Sequence, residues 1–156
     1  MKAVVQRVRN ASVTVDEKIT GSIDFGLLVY LGVAGSDTEK DADWLAEKTA
    51  NIRIFEDADE KMNLSVLDIL NSGGSMGKIG VLTISQFTLL ADARKGRRPF
   101  YGAAADPVKA KFLYEYFIKK INEHGLLCEA GVFQAHMDVS YINDGPVTII
   151  LDSDSI

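Results

Sequence analysis

The residues best suited to chemistry lie in one stretch, Gly80–Phe100, where a hydrophobic strand leads into polar and then cationic side chains. Residues 81–84 are mostly apolar and mostly β-branched, a composition typical of a buried strand. Polar groups follow at Ser85, Gln86 and Thr88, where this strand is expected to end. The order of residues therefore predicts a polar pocket at the end of a strand.

Four cationic side chains follow the pocket residues in a short segment around Gly96: Arg94, Lys95, Arg97 and Arg98. The chain as a whole is acidic, with a formal net charge of −5. Binding along a nucleic-acid duplex normally requires a basic surplus, because affinity comes from neutralising many phosphates. The segment therefore predicts an anion clamp for a few phosphates, at the end of a nucleic acid rather than in a groove.

Two kinds of chemistry are compatible with the pocket. A serine or threonine nucleophile needs a base within hydrogen-bonding distance, and His136 is the only obvious partner for Ser85 or Thr88. The alternative uses the backbone: amides of Phe87 and Thr88 could stabilise the oxyanion formed when an activated ester is hydrolysed, each contributing roughly 3 to 4 kcal/mol. The spacing does not favour the first alternative, so the second is the sharper hypothesis.

Several classes of function lack their usual motifs. The sequence contains no HExxH, no paired CxxC, no Walker loop and no GxGxxG, so no metal or nucleotide cofactor is expected. Its single cysteine, Cys128, lies in an apolar run and cannot form an internal disulfide, which favours a reducing compartment. The uncharged run Phe25–Gly35 is too short to span a membrane, and the first residues do not have the pattern expected of a signal peptide. We expect a cytoplasmic protein.

The 156 residues, 47% of them hydrophobic, correspond to one compact domain, 1–156. Hydrophobic periodicity predicts an N-terminal hairpin with a turn at Arg9–Asn10, a central strand at Phe25–Val33 and a helix capped by Thr38. The other predicted elements are a short strand at Ile52–Phe55, a long loop at Glu56–Gly77, a helix at Asp106–His124, and strands at Leu126–Phe133, Met137–Ile142 and Val147–Leu151. Together they indicate a mixed α/β domain in which strands outweigh helices.

Specific motifs along the whole chain add a resemblance. Ser85-Gln86-Phe87-Thr88, the segment Lys95-Gly96-Arg97-Arg98-Pro99 and Asn143-Asp144-Gly145-Pro146-Val147-Thr148 resemble the D-aminoacyl-tRNA deacylase family in the same order. That family removes D-amino acids from mischarged tRNA as a step of translation quality control. The resemblance implies a three-layer α/β fold, in which two sheets pack together and helices cover one face. It also implies a homodimer with active sites at the subunit interface, no cofactor, and the 3′ end of D-aminoacyl-tRNA as partner.

The resemblance further implies roles for individual residues. Main-chain groups of Ser85, Gln86, Phe87 and Thr88 would hold the scissile carbonyl while the 2′-hydroxyl of the terminal adenosine assists the water. A cis Gly145-Pro146 element would enter the partner's pocket and exclude L-amino acids, so that glycine would still be accepted. The remaining implied roles are support of the Gly-Pro element by Arg7, substrate binding by Phe133, Met137, Lys61 and Asn63, and tRNA phosphate binding by Arg94, Lys95, Arg97 and Arg98.

Each assignment has an ordinary structural alternative. Arg7 would be a solvated cation on a strand, Phe133 a core residue, Gly145 part of a plain turn, and Lys61 part of a surface loop without ligand. Gln134 and His136 also depart from the family pattern, which more often has glycine at the first of these positions. Two rival functions stay open: a non-catalytic module for RNA ends or nucleotides, and a side-chain acyl hydrolase that depends on His136.

Overall fold

The first strand organises the sheet. The computed structural model describes residues 1–73 and 76–155 and begins with β1 (Lys2–Val15), β2 (Lys18–Ile23) and β3 (Phe25–Gly32). One edge of β1 pairs antiparallel with β3 along residues 2–8 and then with β2 along residues 11–15, while β8 (Asp138–Asp152) pairs with its other edge. Two further strands, β6 (Ile79–Ser85) and β7 (Leu127–Ala130), extend the sheet in parallel beyond β3.

The hydrogen-bonded order β2-β1-β3-β6-β7, with β8 beside β1, gives a curled six-stranded sheet. A small second sheet forms from β4 (Phe55–Glu56) and β5 (Met62–Leu64). The helices are α1 (Glu39–Asn51), α2 (Val66–Asn71) and α3 (Pro107–Glu123), with 3₁₀ turns at Phe87–Leu90 and Ser153–Ser155. The expected class, a mixed α/β fold with two sheets and helices, is confirmed.

Two hydrophobic clusters occupy the two faces of the sheet. The larger packs the sheet against the buried faces of the helices, Ala42, Leu45 and Ala46 of α1 among them, while the smaller includes Leu28 and Leu82 on the opposite face. Helix α3 begins as predicted, because the Asp106 carboxylate accepts hydrogen bonds from the first-turn amides and Pro107 takes the first helical position. Among the described residues, no helix has the length and hydrophobicity that crossing a membrane requires.

Three element predictions were wrong, and of the strand expected at Ile52–Phe55 only Phe55 lies in a strand, β4. The expected turn at Arg9–Asn10 lies within the continuous strand β1, at the point where β1 exchanges β3 for β2 and the register opposite β8 shifts. The expected loop at Glu56–Gly77 contains β5 and α2, whose start is fixed by a reciprocal cap between Ser65 and Asp68; Gly74 and Ser75 lie outside the described residues.

The third difference concerns the C-terminal strands. The strands expected at Met137–Ile142 and Val147–Leu151 are one strand, β8, which runs through Asn143–Pro146 as an irregular segment. Within this segment the Asn143 side chain accepts a hydrogen bond from the Val147 amide at 3.1 Å. Since a side chain satisfies this amide where the ladder is interrupted, the strand continues instead of ending in a turn.

Candidate active site

A cavity of about 470 Å³ opens at the C-terminal end of β6. Its wall combines the end of β6, the buried face of α3 and the segment between β7 and β8. The lining residues are Leu31, Val33, Ile84, Ser85, Gln86, Phe87, Ala105, Ala110, Tyr114, Phe133, Gln134, Ala135, His136, Met137 and Val139. The cavity therefore brings together five residues that the sequence predicted for the site: Ser85, Gln86, Phe87, Phe133 and Met137.

Backbone donors lie beside this cavity. The Gln86 amide extends the ladder by bonding to the Leu31 carbonyl at 2.8 Å, after which the chain enters the 3₁₀ turn. The Leu89 amide is the first within the turn to bond, to the Gln86 carbonyl at 3.3 Å. Between them, the amides of Phe87 and Thr88 have no acceptor among the described residues. Two adjacent donors are thus available at the end of β6.

The Thr88 hydroxyl is paired with a group that is not a base. The Gln86 carboxamide nitrogen lies 2.5 Å from the Thr88 hydroxyl oxygen. A carboxamide cannot accept a proton at neutral pH, so it orients this hydroxyl without activating it. Thr88 itself does not line the cavity.

His136 reaches the cavity rim but faces solvent. Its side chain is 94% exposed, and its Nε2 lies 3.7 Å from the Asp138 carboxylate, which is 80% exposed. Among the described residues, neither Ser85 nor Thr88 forms a hydrogen bond with it. The base and nucleophile of a side-chain triad are therefore not assembled in this conformation.

Tyr114 is a cavity residue that the sequence reasoning missed. Its hydroxyl donates to the Thr83 carbonyl at 2.8 Å, and its ring lies 5.9 Å from the Phe133 ring, centroid to centroid. Burial raises the pKa of Tyr114 well above the usual tyrosine range, so it is a neutral donor. The signal that could have revealed it is its position three residues before Phe117, on the same buried face of α3.

Arg7, Asp144, Gly145 and Pro146 form a second cluster. The buried Arg7 guanidinium donates to the Ile54 carbonyl at 2.7 Å, and its Nε lies 3.1 Å from Asp144 Oδ2 as an ion pair without hydrogen-bond geometry. The Gly145-Pro146 bond is cis, and Gly145 has a φ of +119°. A methyl group on Gly145 would lie 3.1 Å from Arg7 Nη2, so the guanidinium packs directly against this glycine.

The Gly145-Pro146 segment lies far from the cavity of its own chain. It lies on β8 opposite Arg7 of β1. Arg7 pairs with Leu27 of β3, and Leu27 pairs with Val81 of β6. Strands β1 and β3 therefore separate it from β6 by roughly 14 Å, and Ser85 lies roughly 13 Å further along β6 than Val81. Neither residue lines the cavity.

The other predicted site residues also lie outside the cavity. Lys61 and Asn63 belong to the β4–β5 hairpin, where Asn63 pairs with the Arg53 guanidinium through both its carbonyl and its side chain. The four cations of 94–98 form an exposed segment beyond the 3₁₀ turn. Arg94 is bound by Asp92 through two contacts of 2.9 and 2.7 Å, and this bond lowers the pKa of Asp92.

One acidic group among the described residues has the spacing of a metal site: Asp37, Asp41 and Asp154. Two of its members already have partners. The Met1 amino group lies 2.6 Å from Asp37 Oδ1, and the Asp41 carboxylate accepts from the Thr38 amide at 2.8 Å as part of the α1 cap. Two of the three carboxylates are therefore engaged within the protein, and none of the three lines the cavity.

The decisive comparison is with a family model for D-Tyr-tRNA(Tyr) deacylase, which matches residues 4–152. The chain belongs to this family. A D-aminoacyl-tRNA deacylase of Koribacter versatilis is 59% identical over 153 residues, which cover 98% of this chain and 97% of that protein. The D-aminoacyl-tRNA deacylase of Thermotoga petrophila is 53% identical over 156 residues, covering 100% and 99%.

Solved structures agree with the deacylase family fold. A protein described as a c-Myc DNA unwinding element binding protein is 37% identical, with a TM-score of 0.86 over 97% of this chain and 98% of that one. A probable eukaryotic D-amino acid tRNA deacylase has a TM-score of 0.80 over 96% and 97%, at 15% identity. At that identity, the second likeness concerns the fold alone.

Proposed function

We propose that this protein hydrolyses the ester bond of D-aminoacyl-tRNA, releasing the free D-amino acid and tRNA. The observation that carries the proposal is the pair of unengaged amides beside the cavity, at Phe87 and Thr88, in a chain of the D-Tyr-tRNA(Tyr) deacylase family. The names of full-length relatives at 52–59% identity support the same substrate class.

The two amides would act as an oxyanion hole. Water adds to the ester carbonyl, the carbonyl oxygen becomes an oxyanion, and the amides of Phe87 and Thr88 donate to it. Each donor of this kind typically lowers the barrier by about 3 to 4 kcal/mol. The intermediate then collapses, the bond between carbonyl carbon and ribose oxygen breaks, and that oxygen leaves as a hydroxyl. The proton comes from the attacking water, with the neighbouring 2′-hydroxyl of the terminal ribose as relay.

On this mechanism no side chain forms a covalent intermediate. Gln86 holds the Thr88 hydroxyl and so fixes the turn that presents the two donors. The ester is already activated by its ribose leaving group, so positioning and charge stabilisation are sufficient. Cofactors are not required by any step.

Chirality would be read by the Gly145-Pro146 element of a second copy of the chain. Supporting this is the separation of the element from the cavity of its own chain, by two strands and four further residues of β6. Carbonyls of this element would occupy the space that an L side chain needs and leave the D side chain free. Arg7 would hold the element rigid, since its guanidinium packs against Gly145 and pairs with Asp144.

A homodimer follows from this assignment, and the surface of β8 is suited to one. The outer edge of β8 has no strand partner among the described residues. Its side chains Tyr141, Ile142 and Ile150 are 38%, 51% and 74% exposed. Apolar side chains on an unpaired strand edge are typical of an interface.

The terminal adenosine would bind in the same cavity. Phe133 offers a ring for stacking, worth roughly 1 to 3 kcal/mol per base, and Met137 lines the same cavity. The exposed cations at 94–98 would bind phosphates of the acceptor end. Lys61 and Asn63 would contribute from the second copy, because they lie outside the cavity of their own chain. Glycyl-tRNA would also be hydrolysed, since a site that rejects L side chains cannot reject an amino acid that has none.

The test is parallel deacylation of matched D- and L-tyrosyl-tRNA and of glycyl-tRNA by the purified protein with EDTA present. We expect release from the D-ester and the glycyl ester, with the L-ester unchanged. Equal release from D- and L-esters would refute the selector, and no release from any ester would refute the reaction.

A second candidate is a nucleic-acid binding module without catalysis. The observation in its favour is the similarity to the protein described as a c-Myc DNA unwinding element binding protein, together with the cationic segment 94–98. This function predicts salt-sensitive binding without turnover in the assay above. It gives no role to the Phe87 and Thr88 amides or to Gly145-Pro146.

A further inference from the structure

An exposed surface of three aromatic side chains begins at the rim of the cavity. We call it the aromatic patch: Phe87, Phe100 and Tyr101, which are 57%, 71% and 37% exposed. The Phe87 and Tyr101 rings meet edge to face with centroids 5.0 Å apart, and Phe87 also lines the cavity. Phe100 precedes Tyr101 in the chain and lines a separate depression together with Asp92 and Arg94, so the patch leads from the cavity rim towards segment 94–98.

A cationic loop adjoins this patch. Asp92 and Phe100 exchange two backbone hydrogen bonds, of 2.8 and 2.9 Å, which close the intervening segment into a loop. Asp92 neutralises Arg94. Lys95, Arg97 and Arg98 form no ion pair with any acidic side chain in the described part of the chain, and all three are exposed. Three uncompensated cations thus lie next to the aromatic patch of a chain whose net charge is −5.

Phe100 is held in place despite its exposure. A methyl group on Gly102 would lie 2.3 Å from two atoms of the Phe100 ring, so the ring covers the backbone at Gly102. The two hydrogen bonds to Asp92 fix its main chain. A ring fixed in this way can stack on a planar partner at little further cost in conformational entropy.

We propose that the aromatic patch and the cationic loop bind the unpaired nucleotides that precede the terminal adenosine at the tRNA 3′ end. Sites for single-stranded nucleic acid combine aromatic stacking platforms with cations along the backbone, which is the combination present here. The bases of a duplex are already stacked and cannot cover such a platform. The inference rests on the proposed function, because it continues the path of the ester's own RNA out of the cavity through Phe87.

Another exposed aromatic side chain provides a matched control. Phe112 on α3 is 53% exposed and lies near the other side of the cavity, where it shares a shallow groove with Phe133 and Gln134. The neighbouring cation Lys111 lies 3.8 Å from the Glu115 carboxylate. Because this charge is compensated, the proposal assigns the RNA to Phe100 and not to Phe112.

The first experiment measures binding without catalysis. The probe is an RNA hairpin that is not aminoacylated and has four unpaired 3′ nucleotides ending in adenosine. It is compared with the same hairpin without the unpaired nucleotides. We expect Phe100→Ala to weaken binding of the overhang hairpin by about 5- to 150-fold, the range for loss of one stacked base. Phe112→Ala should not weaken binding of the overhang hairpin. Phe100→Ala should not weaken binding of the blunt hairpin. The double variant Arg97→Gln with Arg98→Gln should reduce the slope of log affinity against log salt by about 1.4.

The second experiment separates the patch from the catalytic site. With D-tyrosyl-tRNA, Phe100→Ala should raise KM by the same factor and leave kcat unchanged. With D-tyrosyl-adenosine, which lacks the preceding nucleotides, it should change neither constant. The proposal would be overturned if Phe100→Ala caused equal losses with both substrates, or if Phe112→Ala had the same effect as Phe100→Ala. Dissociation of the dimer in Phe100→Ala would also overturn it, because the patch would then belong to the contact with a second copy of the chain.

The two proposals can fail separately. Overhang binding that depends on Phe100, without hydrolysis of any ester, would support the aromatic patch and refute the deacylase. Hydrolysis of the D-ester that is unchanged by Phe100→Ala at every salt concentration would support the deacylase and refute the role of the aromatic patch.

Discussion

Gly145→Ala changes the one residue at which backbone conformation, packing and the proposed selector coincide. Gly145 has a φ of +119°, a region that residues with a Cβ rarely adopt. The added methyl group would lie 2.8 Å from Val147 Cγ2, and 3.1 Å from both the Val147 amide nitrogen and Arg7 Nη2. The Val147 side chain must therefore move, and the Arg7 guanidinium and the Gly145 segment must separate by a few tenths of an ångström.

The expected cost to folding is moderate. A left-handed conformation costs a residue with a Cβ about 1 to 2 kcal/mol, and a domain of this size is typically stable by 5 to 15 kcal/mol. The variant should therefore stay folded. Deacylation of D-tyrosyl-tRNA should be abolished, because the methyl group or the shift it causes would fill the space for the substrate.

Gly125→Ala is the matched control. Gly125 also has a positive φ, +84°, but it follows the end of α3 and no atom lies within 4 Å of the position of the added methyl group. Urea unfolding should show that both variants are folded, with the larger loss of stability in Gly145→Ala because only its methyl group adds close contacts, while only Gly145→Ala loses deacylation. Turnover near that of the unsubstituted protein in Gly145→Ala would refute the role of the glycine in the site.

Other predictions test the chemistry and the buried groups. Thr88→Ala and His136→Ala should each retain substantial deacylation in single-turnover assays, and a fall to the uncatalysed rate in either would revive the side-chain nucleophile. Burial raises the pKa of Cys128 to about 12, so iodoacetamide at pH 8 should modify it about a thousandfold more slowly than a free thiol, and rapid labelling of the folded protein would contradict this. Hydrogen bonds from the Ser65 amide and hydroxyl lower the pKa of Asp68. Its carboxylate therefore contributes stability above the unfolded pKa of about 3.9 that is lost as the pH falls through the lower folded value, and Asp68→Asn should make the loss of Tm below pH 4 shallower.

Elements with local signals could be predicted from the sequence. Helix α3 has its cap at Asp106, its first residue at Pro107 and its end before Gly125, and each signal lies within the element itself. The same holds for the position and buried stripe of α1, although the Thr38 hydroxyl donates to the Asp41 carboxylate and does not accept from a first-turn amide as expected. The pairing of strands that are distant in the sequence could not be predicted. Arg9–Asn10 read as a turn because the exchange of partners along β1 depends on β2, β3 and β8, which no local pattern encodes.

The candidate site was predicted in part for the same reason. Ser85, Gln86 and Phe87 are contiguous, so a strand that ends there necessarily presents them together. The distant Phe133 and Met137 were assigned to the site only through the family resemblance. Tyr114 was missed because its contribution depends on how α3 packs over β6, where its hydroxyl meets the Thr83 carbonyl.

The central claim is that a complete site combines the Phe87 and Thr88 amides of one subunit with Gly145-Pro146 of the other. Phe87→Pro removes one amide donor at the first position of a 3₁₀ turn, where proline is tolerated, and Phe87→Ala is its control with the amide retained. As homodimers, Phe87→Pro should lose about 100- to 1,000-fold in kcat, Phe87→Ala far less, and Gly145→Ala should be inactive.

The decisive measurement is D-tyrosyl-tRNA deacylation after Phe87→Pro and Gly145→Ala subunits are unfolded, mixed in equal amounts and refolded together. Random pairing makes half of the dimers mixed, each with one intact composite site, so activity should recover to about a quarter of that of the unsubstituted protein. Mixed dimers that form but stay inactive would contradict a site shared between subunits.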